Sequence, residues 1–194
     1  MTRTSNSLIG ELDIQGMRRA EAFKQDLTYY MGRGWEKNYQ PRPEVAEYIQ
    51  YLKKLEETEP HLLMAYIYHL YMGLLSGGQI LQKKRQIFSN YMPSFGKAKN
   101  VESSDGSAVT TYNARSISQL KRELVKKMNE VAEELDEPTR QKLISESRTV
   151  FIRNNQIIKT VKGATEAFIK RNLIILAAVF FVALAIVYSF QMYF

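Results

Sequence analysis

Apolar residues recur at intervals of three and four along much of the chain, a spacing that places them on one face of an α-helix. The clearest case follows two prolines, where Val45, Tyr48, Leu52 and Leu55 keep this interval. Residues 17–31 show a similar helical character and end at a Gly-Arg-Gly sequence. The pattern therefore predicts a series of helices.

Three further helices are predicted from their start signals. Thr58 is placed to cap a helix that runs to about residue 89. Ser116 and Gln119 have the spacing of a capping box. Asp136 and Pro138 mark the start of a last helix over 137–160. The helix that Ser116 opens has an apolar face formed by Ile117, Leu120, Leu124, Met128 and Val131.

Two polar segments interrupt the helical pattern. Residues 1–15 show no apolar period and no apolar core of a signal peptide. We therefore expect a loosely ordered N-terminus over residues 1–17. Residues 93–114 are rich in glycine, serine and asparagine, a composition that predicts a flexible loop.

The C-terminal part of the chain is apolar. Residues 173–190 form a run of 18 residues without a charge, which is long enough to cross a bilayer as a helix. Lys170 and Arg171 precede the run, and this charge bias predicts that the rest of the chain faces the cytosol. We expect a tail anchor, with a buried core helix as the alternative. The endoplasmic reticulum is the favoured membrane, and the mitochondrial outer membrane remains open.

One predicted helix contains three glycines, Gly73, Gly77 and Gly78. Each glycine weakens a helix by about 1 kcal/mol relative to alanine, so their presence needs a reason. The segment 62–81 could be a second membrane span with a GxxxG pattern, or a helix that packs closely in a bundle. It could also let a large flat ligand approach the backbone. Positions 69, 73, 76, 77 and 80 fall on one nearly bare face, which suits such a ligand.

Composition narrows the possible chemistry. The chain has no cysteine, which excludes disulfides and thiolate metal sites. It has only two histidines, His61 and His69, so a metal centre with several histidines is not predicted. The net charge of +7 fits solvated helix faces, an acidic partner or an anionic membrane surface. No motif of a nucleic-acid reader accompanies the basic residues, and we expect no nucleic-acid partner.

The glycine-containing helix, LLMAYIYHLYMGLLSGGQIL, resembles the distal helix of heme oxygenases. The resemblance covers residues 18–160 and includes four further segments of the sequence. These segments are EAFKQDLTYYMGRGW, TEPHLL, QLKRELVKKMN and FIRNNQIIK. The resemblance implies an all-α heme oxygenase-like helical domain, followed by a basic segment at 161–172 and a membrane anchor at 173–194.

The same resemblance implies an activity. Heme oxygenases hold heme between two helices and cleave it with O2 to biliverdin, carbon monoxide and iron. Heme is thus both cofactor and substrate, and NADPH-derived electrons arrive through a flavoprotein reductase. The implied partners of this chain are heme, that reductase and the lipid bilayer.

The resemblance also assigns site residues. Gly73 and Gly77 would leave clearance for O2 on the distal side, and Lys121 would bind a heme propionate. The resemblance does not assign an iron ligand on this helix, but His69 could coordinate iron from the distal side where no proximal histidine exists; the alternative is a packed or pocket-lining histidine. The implied heme-binding residues are Tyr68, His69, Gly73, Ser76, Gly77, Gly78, Lys121 and Phe151.

Departures from the family pattern qualify the expected activity. The helices that carry the family's proximal histidine have no counterpart before residue 18, so the chain resembles an N-terminally truncated form. Leu74, Tyr66 and Leu70 stand where the family usually has aspartate, histidine and arginine. We therefore expect little biliverdin from this chain. The alternative is a non-catalytic heme-binding or membrane-anchored interaction protein; Pro138 and the glycines argue against a SNARE-like coiled coil.

Overall fold

The computed structural model describes residues 5–91, 105–161, 169, 172–176 and 179–180. Within these ranges the regular structure is helical and no strand occurs. The helices are α1 (Ser5–Glu11), α2 (Ala20–Met31), α3 (Pro43–Thr58), α4 (Leu63–Gly73), α5 (Gln79–Tyr91), α6 (Ile117–Glu134) and α7 (Glu137–Lys159). A π-helical turn, Leu74–Gly78, joins α4 to α5. The predicted all-α fold is confirmed for the described residues.

The chain divides into two compact units, Met1–Asn154 and Asn155–Phe194. The second unit contains the end of α7 and short helical stretches at 172–176 and 179–180. Among the described residues, no helix has both the length and the apolar character needed to cross a membrane. Most of the predicted span at 173–190 lies outside these residues. The apolar side chains that are described there are solvent-exposed: Leu173, Ile174, Ile175, Leu176, Val179 and Phe180.

Local signals explain where several helices begin. The backbone N–H of Gln119 donates to the Ser116 hydroxyl, and the Ser116 N–H donates to the Gln119 side chain, which confirms the capping box of α6. Asp136 accepts the Thr139 N–H at 3.0 Å and caps α7. Thr58 differs from expectation, because it is the last residue of α3 and its hydroxyl donates to the Lys54 carbonyl. A 3₁₀ turn, Pro60–Leu62, then leads into α4.

The core of the first unit lies where α4 and the π turn meet α6. Leu75, Leu120 and Leu124 are almost completely buried in one cluster with Ile14 and Met17. Burying each of these side chains contributes about 1.5–3 kcal/mol. Leu120 and Leu124 were both predicted on the apolar face of α6. The cluster fixes one side of the π turn in the interior and leaves its other side free to form a site.

The N-terminal region is more ordered than expected. We expected a loosely ordered segment over residues 1–17, but residues 5–11 form α1. Leu8, Leu12, Ile14 and Met17 are all buried. Burial of these four apolar side chains stabilises the ordered N-terminal region, because it removes apolar surface from water. The sequence did not predict this order, because the spacing of the four residues is not strictly helical. α1 contacts α6 and the 3₁₀ turn before α4.

Part of the predicted loop 93–114 is fixed. Residues 92–104 lie outside the described residues, but Ala108–Thr110 form a 3₁₀ turn. The Asp26 carboxylate accepts the N–H groups of Ala108 and Val109 at 2.9 and 3.0 Å. The Arg19 guanidinium donates to the carbonyls of Ala108 and Thr111. Asp26 lies on α2 and Arg19 directly precedes it. The two side chains therefore hold residues 105–112 against α2, and this stretch is called the 105–112 segment below.

A buried carboxylate connects α7 with α3 and α4. Glu146 is only 8% exposed and accepts hydrogen bonds from the hydroxyls of Tyr51, at 2.9 Å, and Tyr66, at 2.5 Å. The Arg153 guanidinium lies 3.7 Å from the centre of the Tyr51 ring. These contacts compensate for burying the carboxylate, which would be costly without partners.

The phenols around Glu146 predict how stability depends on alkaline pH. Burial, together with the hydrogen bond to Glu146, raises the pKa of both Tyr51 and Tyr66. The folded state thus keeps these phenols protonated at a pH at which the same phenols ionise in the unfolded chain, about pH 10. The free energy of unfolding should be undiminished below that pH and fall above it. Tyr66→Phe should cost about 2 kcal/mol near neutral pH and make the alkaline decline shallower.

Urea unfolding at a series of pH values measures both effects. Tyr39→Phe, at an exposed tyrosine, is the matched control and should leave the curve nearly unchanged. An equally steep alkaline decline for Tyr66→Phe and the unaltered chain would contradict this account.

Candidate functional site

The glycine-containing segment forms one continuous helical path with a wider turn in its middle. α4 ends at Gly73, the π turn covers Leu74–Gly78, and α5 starts at Gln79. A π turn closes its hydrogen bonds over five residues instead of four, and such turns are frequent at functional sites. The sequence predicted a single helix here, and only the wider turn was missed.

One side of this turn is bare backbone. A Cβ atom added to Gly73 or Gly77 would find no other atom within 4 Å. Ser76 is exposed, and Ile80 is 56% exposed on the next turn. These four residues are called the glycine stripe below. Positions 73, 76, 77 and 80 of the predicted face are therefore accessible, whereas His69, its first position, is partly buried.

The third glycine has a different environment. A Cβ on Gly78 would lie 3.2 Å from Leu74 Cδ1 and 3.3 Å from Thr110 Cγ2. Gly78 therefore allows the π turn to pack closely against the 3₁₀ turn Ala108–Thr110. The heme-binding role of Gly78 stays a prediction, and the close contact with Thr110 is a separate reason for a glycine at this position.

The leucines beside the stripe face different environments. Leu75 is buried in the core cluster, as expected for a residue on the opposite side. Leu74 is partly buried and contacts the Gly78 position with its side chain. Leu70 is 44% exposed. The neighbourhood of the stripe is consequently apolar.

Three aromatic side chains meet on the α4 side of the site. The His69 ring lies 4.9 Å from the Phe151 ring and 5.3 Å from the Tyr68 ring, in edge contacts. Phe151 is more than half exposed, whereas Tyr68 packs against the core cluster. Burial lowers the pKa of His69 below its ordinary value, so the imidazole is neutral near neutral pH. The structure thus brings Phe151 of α7 next to Tyr68 and His69, two predicted site residues that are adjacent on α4.

Lys121, the predicted propionate ligand, lies on α6 next to the buried Leu120. It is partly exposed, and no ion pair engages it within the part of the chain that the structure describes. α6 packs against α4, the helix that leads into the glycine stripe. With respect to the described residues, Lys121 is therefore available to bind an anionic group.

The 105–112 segment positions the π turn, and its role was not predicted. The Gln79 amide donates to the Thr110 carbonyl at 2.7 Å, directly after the π turn. The same 3₁₀ turn is held by Asp26 and Arg19, so α2 supports the stripe through two successive contacts. No sequence signal links Asp26 to Ala108, because 82 positions separate them.

Comparisons with known proteins agree with this architecture. The family model described as heme oxygenase matches residues 1–160. Heme oxygenase 1 of Bos taurus is 32% identical over 149 residues, which cover 76% of this chain and 47% of that protein. Heme oxygenase 1 of a Nostoc species is 27% identical over 163 residues, covering 82% of this chain and 63% of that protein. The chain therefore spans about half to two thirds of the length of these relatives.

Solved structures give the same result. Heme oxygenase 2 from Chlamydomonas reinhardtii, solved without heme, has a TM-score of 0.66 and 28% identity, with 79% of this chain and 67% of that chain covered. Heme oxygenase-2 from Synechocystis, in complex with heme and NO, has a TM-score of 0.66 and 27% identity, with coverages of 79% and 60%. On its sequence match and its fold, the chain belongs to the heme oxygenase family.

Proposed function

We propose that the chain binds heme against the glycine stripe and takes part in its oxidative cleavage to biliverdin, carbon monoxide and iron. The observation that carries this proposal is the open space at Gly73 and Gly77. A rigid planar macrocycle needs an accessible flat surface, and side chains at these two positions would prevent close approach. The related Synechocystis protein was solved with heme and NO, which supports heme as the ligand class.

The surrounding residues fit the chemical groups of heme. Phe151 and Tyr68 offer aromatic surface to a porphyrin edge, and their packing around His69 makes that surface continuous. Lys121 would neutralise a propionate. Bound heme would supply the iron that activates O2 and the carbon skeleton that is cleaved. The glycine stripe would orient the macrocycle and leave space for a small ligand above it.

Leu74 limits the chemistry that this site supports. Its side chain is apolar, so it neither holds a water molecule nor donates a proton beside the stripe. Leu74→Asp should therefore raise the rate of hemin consumption by about tenfold or more, because polar groups around a metal site change activity by 10–100-fold. Leu81→Asp, an equal change at an exposed position on α5, is the matched control and should have no such effect.

The measurement is a single turnover of the hemin complex with a flavoprotein reductase and NADPH. Loss of the Soret band and formation of biliverdin are the two readouts. Equal rates for Leu74→Asp, Leu81→Asp and the unaltered chain would contradict the assigned role of Leu74. Failure of hemin to bind would contradict the proposed function itself.

A second candidate function is heme binding without turnover. It is favoured by Leu74, which leaves the described surroundings of the stripe without a carboxylate at the π turn. The two functions differ in one outcome of the same experiment. A bound hemin that is consumed in neither the unaltered chain nor Leu74→Asp would support the non-catalytic form.

We propose further that residues 173–190 anchor the chain in a membrane, with the first unit on the cytosolic side. The uncharged run and its preceding Lys170 and Arg171 support this proposal, as do the exposed apolar side chains of Leu173 to Leu176. The endoplasmic reticulum is the proposed membrane, where a reductase of the same orientation would supply electrons. Release of the full chain by alkaline carbonate would contradict the anchor.

A further inference from the structure

His69 lies on α4 just before the glycine stripe. It lies one helical turn before Gly73 and therefore on the same side of the helix. Since Gly73 and Gly77 have no side chains, nothing projects from these two positions between His69 and a ligand that lies on the stripe. His69 is the one residue of α4 whose side chain offers a nitrogen base to a flat ligand on the stripe.

The local packing gives this imidazole a defined orientation. Phe151 on α7 contacts the ring edge at a centroid distance of 4.9 Å, and Tyr68 contacts it at 5.3 Å. Two ring contacts restrict the rotation of the side chain, so less freedom is lost when it binds a ligand. Within the described part of the chain, no hydrogen bond engages the His69 ring, and neither of its nitrogens is enclosed.

The protonation state of His69 suits a metal ligand. A histidine coordinates a metal through the lone pair of a neutral imidazole. Partial burial disfavours the charged form of His69 and so lowers the pKa of its imidazole. The neutral ring thus has an available lone pair near neutral pH.

The second histidine is not equivalent. His61 lies in the 3₁₀ turn before α4, and its Nε2 atom is buried without a hydrogen-bond partner. It lies twelve residues before Gly73, the first residue of the stripe, and a macrocycle on the stripe could not reach the enclosed nitrogen. His61 therefore provides a matched control for substitutions at His69.

We infer that His69 coordinates the iron of heme bound on the glycine stripe, from the same side as Gly73 and Gly77. This inference rests on the proposed heme site and goes beyond it by assigning an iron ligand on α4. Coordination there would place the imidazole where a small ligand must otherwise bind. His69 would then regulate turnover, because O2 could use that side only after the iron–histidine bond opens.

Resonance Raman spectroscopy of the full chain, loaded with hemin and reduced, tests the assignment directly. An iron–histidine stretching band is expected in the unaltered chain and in His61→Ala. The band should be lost in His69→Gly and an equivalent band should return when free imidazole is added, since the small cavity admits the missing ring. Circular dichroism of each apoprotein shows whether the variant retains its helices.

The possible results separate the two proposals. An unchanged iron–histidine band in His69→Gly would overturn the assignment of His69 and leave the heme site intact. If the unaltered chain binds hemin but shows no iron–histidine band, the assignment of His69 is also wrong, while the heme site stands. If the unaltered chain binds no hemin, both the heme site and the His69 ligand are wrong.

Discussion

Leucine in place of Gly73 should weaken hemin binding by about a hundredfold, which corresponds to about 3 kcal/mol. The reason is steric, because the new side chain would fill the open space over which the macrocycle must lie. The same substitution should stabilise the apoprotein by about 0.5–1 kcal/mol, since leucine favours a helix more than glycine does. Hemin titration followed at the Soret band gives the affinity, and urea unfolding gives the stability.

Gly10→Leu is the matched control for this prediction. Gly10 lies in α1 and, like Gly73, has no atom within 4 Å of an added Cβ. Its substitution should not reduce hemin affinity, because α1 is not part of the glycine stripe. Unchanged hemin affinity in Gly73→Leu would show that the bare backbone does not receive the ligand. The opposing effects on binding and stability explain why a helix retains unfavourable glycines.

Alanine in place of Gly106 should lower the free energy of unfolding by about 3 kcal/mol. Its Cβ would lie 2.5 Å from Tyr29 Cδ1 and 2.9 Å from Tyr30 Cζ, distances at which one side must move. Tyr29 is buried, so its ring cannot turn aside without disturbing its neighbours. Gly106 also has a φ of +70°, a conformation that costs a side chain about 1–2 kcal/mol.

Gly34→Ala separates these two contributions. Gly34 has a similar φ of +77°, but an added Cβ there would meet no atom within 4 Å. It should therefore lose only the backbone contribution, about 1 kcal/mol. The difference between the two variants in urea unfolding measures the clash with Tyr29 and Tyr30. Equal losses of stability would contradict tight packing of the 105–112 segment on α2.

Local signals in the sequence were sufficient to predict most helices. The capping box at Ser116 and the cap at Asp136 depend only on residues within three positions. The apolar face of α6 was predicted correctly, because Leu120 and Leu124, which the helical spacing places on that face, are both buried. The bare face at Gly73 and Gly77 followed from helical geometry alone.

Contacts between distant residues could not be predicted in this way. Tyr66 was noted as a departure from the family pattern, but its partner Glu146 lies on another helix, and only the fold brings them to 2.5 Å. The support that Asp26 gives to Ala108 depends equally on tertiary packing. The π turn was missed because the extra residue in its hydrogen-bond ring leaves no mark in the apolar spacing. Thr58 has a favourable cap residue type, yet Pro60 places a 3₁₀ turn before α4.

Hydrogen exchange of the full chain with and without hemin tests the central claim, that heme lies on the glycine stripe. Hemin should slow amide exchange in peptides that cover residues 69–80, where the bare backbone would be shielded from water. Peptides from α1 and α3, which are not part of the glycine stripe, should exchange at unchanged rates. Unchanged exchange at 69–80 while hemin is bound, with protection elsewhere in the chain, would contradict the account.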